Sequence, residues 1–345
     1  MILVIGDPHI ASYHKFSQVV ESGYTIRELE HLQVAKDVVN TMQKYKFDCV
    51  VCLGDVFDKV GDKISIDNMR TVTDWISIIQ EECIKQNIPF YILMGNHDCN
   101  SANGYSHKLL PFKQYQNVKI IDSFEEDHNM IFLPHSIDVE YAESYLQAKT
   151  DKKDKIIFSH MEVKDINLGN GIFTTKGISL NTLKEFKDTL QGHYHTPGKY
   201  ATNIWLPGST QKTSFKDPGG GYLGVYDGTK VIKEEYTGPK WYTFYDDDLD
   251  EVKSISDNNY VKLCLSCDNM LDINGIKREE LDRFKGLEVE IDIQRISSKN
   301  LKRSQEDIEL ESPEEILSNF INQQTIDEAK KKKLIDKGQE LLQRV

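Results

Sequence analysis

Six cysteines in 345 residues are too few for a disulfide scaffold. No run of about 18 apolar residues occurs, so no membrane-spanning helix is expected. The N-terminus, MILVIGDPH, lacks a basic region and a small-residue cleavage site, so no secretory signal is expected and a cytoplasmic protein is. Excess positive charge is also missing. Lys plus Arg number 42 against 55 Asp plus Glu, a net charge of −13. This excludes a basic nucleic-acid-coating protein but not an enzyme that draws local positive charge from bound metal. No internal repeat is present. Two CxxC pairs, Cys49/Cys52 and Cys264/Cys267, lie in apolar strand-like runs. Residues three apart on a strand face opposite ways, so buried thiols are expected rather than zinc knuckles.

What is present is a regular alternation. Short apolar runs at 2–5, 49–53 and 90–94 read as strands, and amphipathic stretches at 25–45 and 65–85 read as helices. Strand, helix, strand, helix, strand implies an α/β layered fold with parallel pairing. Further strands are expected at 130–133, 156–159, 189–191, 204–206 and 222–226. Long helical patterns are missing between the last few, so antiparallel pairing is expected there. A small α+β module follows, with strands at 241–245, 260–266 and 287–293 and a polar helix near 277–284. Residues 297–311 form a charged linker, and two amphipathic helices complete the chain.

Four motifs stand at the ends of predicted strands: Gly6-Asp7-Pro8-His9, Gly54-Asp55-Val56-Phe57-Asp58, Gly95-Asn96-His97-Asp98 and Gly192-His193-Tyr194-His195. A lone His160 follows the run 156–159. In open α/β folds the carboxyl ends of strands converge on one crevice, so residues distant in sequence meet there. Imidazole nitrogens with carboxylate and amide oxygens suit a divalent metal such as Mn²⁺, Fe²⁺ or Zn²⁺. The lack of cysteine among them disfavours a structural zinc site. His14, His31, His107, His128 and His135 match no motif and are expected at the surface or in the core.

Together and in this order, the five elements resemble the calcineurin-like metallophosphoesterase superfamily. The resemblance implies a four-layer α/β/β/α sandwich with a small α+β capping domain and a C-terminal helical tail. It also implies two divalent metal ions, Mn²⁺ foremost with Mg²⁺ as the alternative. Asp7, His9, Asp55 and His195 would hold one ion. Asp55, Asn96, His160 and His193 would hold the other, with Asp55 bridging. His97 would stay off the metals, face the substrate and donate a proton to the leaving oxygen. Asp98 would orient an imidazole. Asp58 is open between an active-site contact and a loop cap. Two divalent ions outweigh two carboxylates, so the site suits an anionic phosphodiester.

Within the superfamily, Pro207-Gly208-Ser209-Thr210 followed by Thr213-Ser214-Phe215 and Asp217 resembles the SbcD-type recombination nucleases. The GDVFD form is similar to that of bacterial and phage members, and the modest length and short tail look most like the T-even phage subunit. The resemblance divides the chain into a nuclease domain (1–228), a capping domain for DNA recognition (229–296), the linker (297–311) and a partner-binding tail (312–345). It implies 3′-to-5′ exonuclease activity on duplex DNA and endonuclease activity on single strands. Its implied partners are DNA, an SbcC-type SMC-like ATPase held by the C-terminal helices, and a second copy in a homodimer paired through 65–85 and 103–115. A stand-alone phosphodiesterase for small nucleotides is the alternative. It would need no helical tail.

Overall fold

The computed structural model describes residues 1–12, 15–58, 64–100, 106–166, 173–217, 219–220, 222–265, 284–291, 330–335 and 337. Two compact units divide the chain, Met1–Ile291 and Asp292–Val345. The expected helix near 277–284, the linker, most of the tail, His14, Cys267 and residues 103–105 lie outside the described residues. Within the second unit, residues 330–335 are helical.

The first sheet has six strands in the order β12 (Val231–Glu235), β11 (Tyr222–Tyr226), β1 (Ile2–Ile5), β2 (Cys49–Cys52), β3 (Phe90–Leu93), β4 (Val118–Ile121). The run from β1 to β4 is parallel, and β11 and β12 add antiparallel. The crossovers are α1 (Ile26–Lys44) and α2 (Ile66–Gln86). Each begins where the sequence supplies a cap. Thr25 and Glu28 form a capping box, and the Ser65 hydroxyl accepts from Asn68 N–H. Strand side chains alternate between faces. Leu3, Ile5, Val50 and Cys52 therefore cluster with Val38, Trp75 and Ile76 of the helices. Val4, Cys49, Val51 and Leu93 cluster with Phe132, Phe158 and Leu190 of the second sheet. Cys49 and Cys52 thus face opposite ways as buried thiols.

The second sheet has the order β5 (Glu125–Asp127), β6 (Met130–Leu133), β7 (Ile156–Ser159), β8 (Asp188–Gln191), β10 (Ile204–Leu206), β9 (Gly198–Ala201). Its outer face packs Ile131, Leu133 and Ile157 with Ala142 and Leu146 of α3 (Val139–Gln147) and Leu183 of α4 (Leu180–Lys184). The antiparallel expectation holds for Tyr222–Tyr226 in the first sheet but is corrected for Ile204–Leu206, which pairs parallel with β8. The run β6, β7, β8 and β10 is parallel, and only β5 and β9 pair antiparallel. The link from β8 to β10 is made by the extended β9 rather than by a helix, so helical periodicity could not signal it. A third sheet, β13 (Trp241–Tyr245), β14 (Tyr260–Leu265) and β15 (Gly286–Ile291), is parallel throughout. Phe244, Val261, Leu263 and Phe284 form its core. Because β12 completes the first sheet, that sheet extends past the expected boundary at 228.

Candidate metal centre

The carboxyl ends of β1, β2, β3, β7 and β8 open on one place. Asp7 and His9 follow β1, Asp55 follows β2, Asn96 and His97 follow β3, His160 follows β7, and His193 and His195 follow β8. The ligand-type atoms of Asp7, His9 and His195 lie within 4.8 Å of one another. So do those of Asp55, His160 and His193, and those of His9, Asp55 and His97. The sequence motifs therefore meet.

The loops that carry these groups are stapled together. His9 N–H donates to Asp55 O at 2.9 Å, and Ile10 N–H donates to Val56 O at 2.8 Å. His97 N–H donates to Asp55 Oδ1 at 2.8 Å. The other oxygen, Asp55 Oδ2, lies 3.2 Å from His160 Nε2 and 3.7 Å from His9 Nε2, between the two groups of ligand atoms. His160 Nδ1–H donates to Leu53 O at 2.7 Å. That bond selects the tautomer and leaves Nε2 facing the centre. Asn96 Oδ1 lies 3.2 Å from His160 Nε2 and 3.0 Å from His193 Nδ1.

Backbone strain concentrates in the same residues. His9, Asp55 and His193 have φ of 46°, 50° and 71°, in the left-handed region that non-glycine residues seldom adopt. Close approach requires glycine next to them. A Cβ on Gly95 would sit 2.1 Å from Asp55 Oδ1, and one on Gly54 would sit 2.5 Å from His160 Nδ1.

Asp7 gives the clearest sign of what the centre holds. Both of its carboxylate oxygens are buried and neither has a hydrogen-bond donor. Burying an unpaired carboxylate is costly unless a cation compensates it. Burial pushes its pKa up to about 7. At Asp55, burial is outweighed by the charge and hydrogen bond of His160, and its pKa falls. Burial likewise disfavours the charged form of His160, but Asp55 and Asp7 outweigh it and raise the pKa to about 10. Burial lowers His9 to about 3 and His193 to about 4, keeping both imidazoles neutral as ligands require. The donor set and a buried carboxylate without hydrogen bonds, whose nearest cationic group is His160 Nδ1 at 3.9 Å, fit divalent metal.

His97 lies at the rim of the cluster. Its ring stands edge-on to that of His9, 4.8 Å between centroids, and its Nδ1 contacts the main-chain oxygen of Asp58. The Asp58 carboxylate lies 3.7 Å from His9 Nδ1, so Asp58 does touch the centre. Asp98 behaves otherwise than expected. It is fully buried, and it accepts from Phe57 N–H at 3.0 Å and Gly95 N–H at 2.9 Å. It ties the second motif loop to the third through backbone rather than orienting an imidazole.

One residue outside the expected set belongs here, and a second lies on a neighbouring strand end. Asp217 Oδ1 lies 3.3 Å from His195 Nδ1 and also accepts from Gly219 N–H at 2.8 Å. Its other oxygen takes the Thr213 N–H and hydroxyl, both at 3.0 Å. Burial is outweighed by these bonds, and the Asp217 pKa falls. His135 follows β6, beside β7, and its N–H donates to Met94 O at 2.8 Å. Burial first, then the charge of His160, lowers its pKa to about 4. The remaining histidines do sit in the core or at the surface: His31 and His107 are buried, His128 is exposed.

A parallel α/β core with aspartate, asparagine and histidine gathered at its strand ends defines a metal-dependent phosphoester hydrolase. The model of the calcineurin-like phosphoesterases matches residues 1–242, and the chain belongs to that family. The match runs past residue 228, in keeping with β12 completing the first sheet. No curated protein shows a significant match to the chain. Among the described residues, no helix is long and apolar enough to cross a membrane.

Proposed function

We propose that this phosphoesterase is a two-metal DNA nuclease, the catalytic subunit of an SbcC–SbcD-type recombination and repair complex. One observation carries the choice of subfamily. The 207–217 stretch through which the sequence resembles SbcD-type nucleases is bonded to the metal-ligand residues themselves. Ser209 N–H donates to His195 O at 3.2 Å, Thr210 N–H donates to Asp7 O at 3.2 Å, and Asp217 braces His195. The rest of the proposal follows the resemblance: a four-layer α/β/β/α sandwich capped by the third sheet, a homodimer in the cytoplasm, and a helical tail that docks on an SMC-like ATPase.

In this reading Asp7, His9, Asp55 and His195 hold one ion, and Asp55, Asn96, His160 and His193 hold a second. Bound divalent ions, Mn²⁺ foremost, polarise the phosphoryl group and activate water. The chain does the positioning. Asp55 keeps Oδ2 toward both sites because Oδ1 is occupied by His97 N–H. His160 and His195 are held in orientation by Leu53 O and Asp217. His97, with Nδ1–H directed to the Asp58 carbonyl, would give the leaving oxygen the Nε2 proton of its imidazolium form and be left as the neutral Nδ1–H tautomer. The test is incubation of linear duplex and circular single-stranded DNA with Mn²⁺ or Mg²⁺, with and without the matching ATPase, beside Asp55→Ala. Cleavage that Asp55→Ala abolishes supports the nuclease. Hydrolysis of bis-p-nitrophenyl phosphate and cyclic nucleotides without DNA cleavage overturns it in favour of a small-nucleotide phosphodiesterase.

A further inference from the structure

Next to the metal-ligand cluster lies a second concavity of about 450 Å³, lined by Lys212, Lys233, Lys240, Glu235, Tyr222 and Trp241. Three cations and one carboxylate give it a positive balance on a chain of net charge −13. Among the described residues none of the three ammonium groups is held in an ion pair, and that of Lys233 lies 4.6 Å from the Tyr222 ring centroid.

Topology sets this groove at the catalytic end of the first sheet. Strand β11 runs antiparallel to β1, so its first residue, Tyr222, stands near the carboxyl end of β1. Glu235 pairs with Tyr222, and Lys233 pairs with Gly224, which itself pairs with Val4. Paired residues share a face. Lys233 therefore points to the same side as Val4, toward the second sheet, where the metal-ligand side chains also gather. The groove is continuous with the ligand loops. Pro197, two residues beyond His195, is in its wall, and Lys212 adjoins Thr213, whose N–H is bonded to Asp217.

Two of the three aromatic residues in the groove wall, Trp241 and Tyr222, are already engaged; the third is Tyr236. Trp241 stacks on Tyr260 at 4.2 Å between centroids and carries the Arg27 guanidinium at 5.0 Å. Tyr222 is buried. Little ring surface remains for stacking on bases, so the recognition left to the groove is ammonium to phosphate, which positions a strand without reading its sequence. The volume falls within the range of small-ligand pockets, roughly 300–1,000 Å³, which admits one strand and not a duplex.

We infer that this groove tracks the backbone phosphates of a single nucleic-acid strand leaving the metal centre. The inference rests on the nuclease reading above and adds the path of the substrate. The test is a triple variant, Lys212→Gln, Lys233→Gln and Lys240→Gln, with the corresponding arginine triple as control. Both are assayed against a single-stranded oligonucleotide over a range of salt, and against bis-p-nitrophenyl phosphate, which is too short to reach the groove. The expected result is a KM for the oligonucleotide raised about tenfold or more in the glutamine triple, with kcat little changed. The slope of log affinity against log salt should flatten by about 2, as three lost phosphate contacts on a single strand predict. The arginine triple should restore both. An unchanged KM and salt slope, or an equal loss on both substrates, would overturn the groove while leaving the nuclease reading intact. Wild-type protein that hydrolyses the small ester but neither binds nor cleaves the oligonucleotide would remove both.

Discussion

The two six-stranded sheets contribute to the centre in different currencies. The first supplies oxygen: Asp7, Asp55 and Asn96 all stand at the ends of its strands, with His9 and His97 among them. The second supplies nitrogen alone, from His160, His193 and His195. The means of holding these groups differ as well. The loops of the first sheet brace one another through backbone, His9 to Asp55, Ile10 to Val56, and Phe57 and Gly95 to Asp98. The imidazoles of the second sheet are braced from outside it, His160 by Leu53 O at the end of β2 and His195 by Asp217 in the loop before β11. Neither sheet alone would carry a centre. The contrast teaches that charge is set on the rigid side and ligand orientation is set across the cleft.

The hardest blow to that division is to remove charge without changing shape. Asp55→Asn retains an acceptor for His97 N–H and deletes the carboxylate that lies between the two ligand groups. Turnover of bis-p-nitrophenyl phosphate should fall by about 10³-fold, the scale of losing a principal electrostatic group. A fall of less than tenfold would mean the first sheet does not set the charge of the centre.

His97 belongs to the first sheet and lies beside Asp55, and it sharpens the comparison by asking whether it is a ligand. His97→Gln should lower kcat by about 10²-fold to 10³-fold, as loss of a general acid does, with divalent-metal affinity unchanged by titration calorimetry. A parallel loss of metal affinity would class it with His9 and Asp55, whose ligand atoms lie within 4.8 Å of its own.

On the other sheet the bracing is the target. Asp217→Asn keeps the size of the side chain and weakens its hold on His195 Nδ1. Metal affinity should fall about 10-fold to 100-fold, the usual consequence of losing a partner behind a ligand. Asp217 also receives three bonds from Thr213 and Gly219, so the melting temperature should be followed in the metal-free and metal-loaded protein. An equal fall in both forms would class Asp217 as a loop brace only.

These residues also mark what the sequence could and could not disclose. The strands Met130–Leu133, Ile156–Ser159, Ile204–Leu206 and Tyr222–Tyr226 coincide with their apolar runs because they are largely buried, and Trp241–Tyr245 coincides through its aromatic residues although it is partly exposed. The edge strands Glu125–Asp127 (EED) and Val231–Glu235 (VIKEE) are partly solvated and polar, and they have no such signature. The motif residues converge because parallel strands end on one side. The bond of Asp217 to His195 and the place of His135 beside the third-motif loop were not legible in the sequence. Each depends on a single residue whose place exists only once the 207–220 loop folds back on His195, or once β6 lies beside β7. Asp98 sits in a motif, but its partners are backbone N–H groups, which no side-chain pattern announces.

The mildest test uses protons. Metal ligands must shed theirs, so binding is linked to pH through groups that hold a proton in the metal-free state. Asp7 on the first sheet titrates near 7, and His160 on the second is raised to about 10. Both are protonated below their pKa, so the sign is the same for each: affinity rises with pH. Between pH 7 and 9 His160 contributes throughout, and His195, raised by its bond to Asp217, joins as pH falls, so affinity should rise by about tenfold per unit or more. Below pH 7 Asp7 joins, and the slope should steepen further. His9 and His193, held at about 3 and 4 by burial, add nothing across this window. Calorimetry of Mn²⁺ binding in buffers of different ionisation enthalpy should therefore find more protons released per protein at pH 6.5 than at pH 8.5. Loss in Asp7→Asn of the additional release below pH 7, with release above pH 7 unchanged, would assign the acid limb to the first sheet and the alkaline limb to the second.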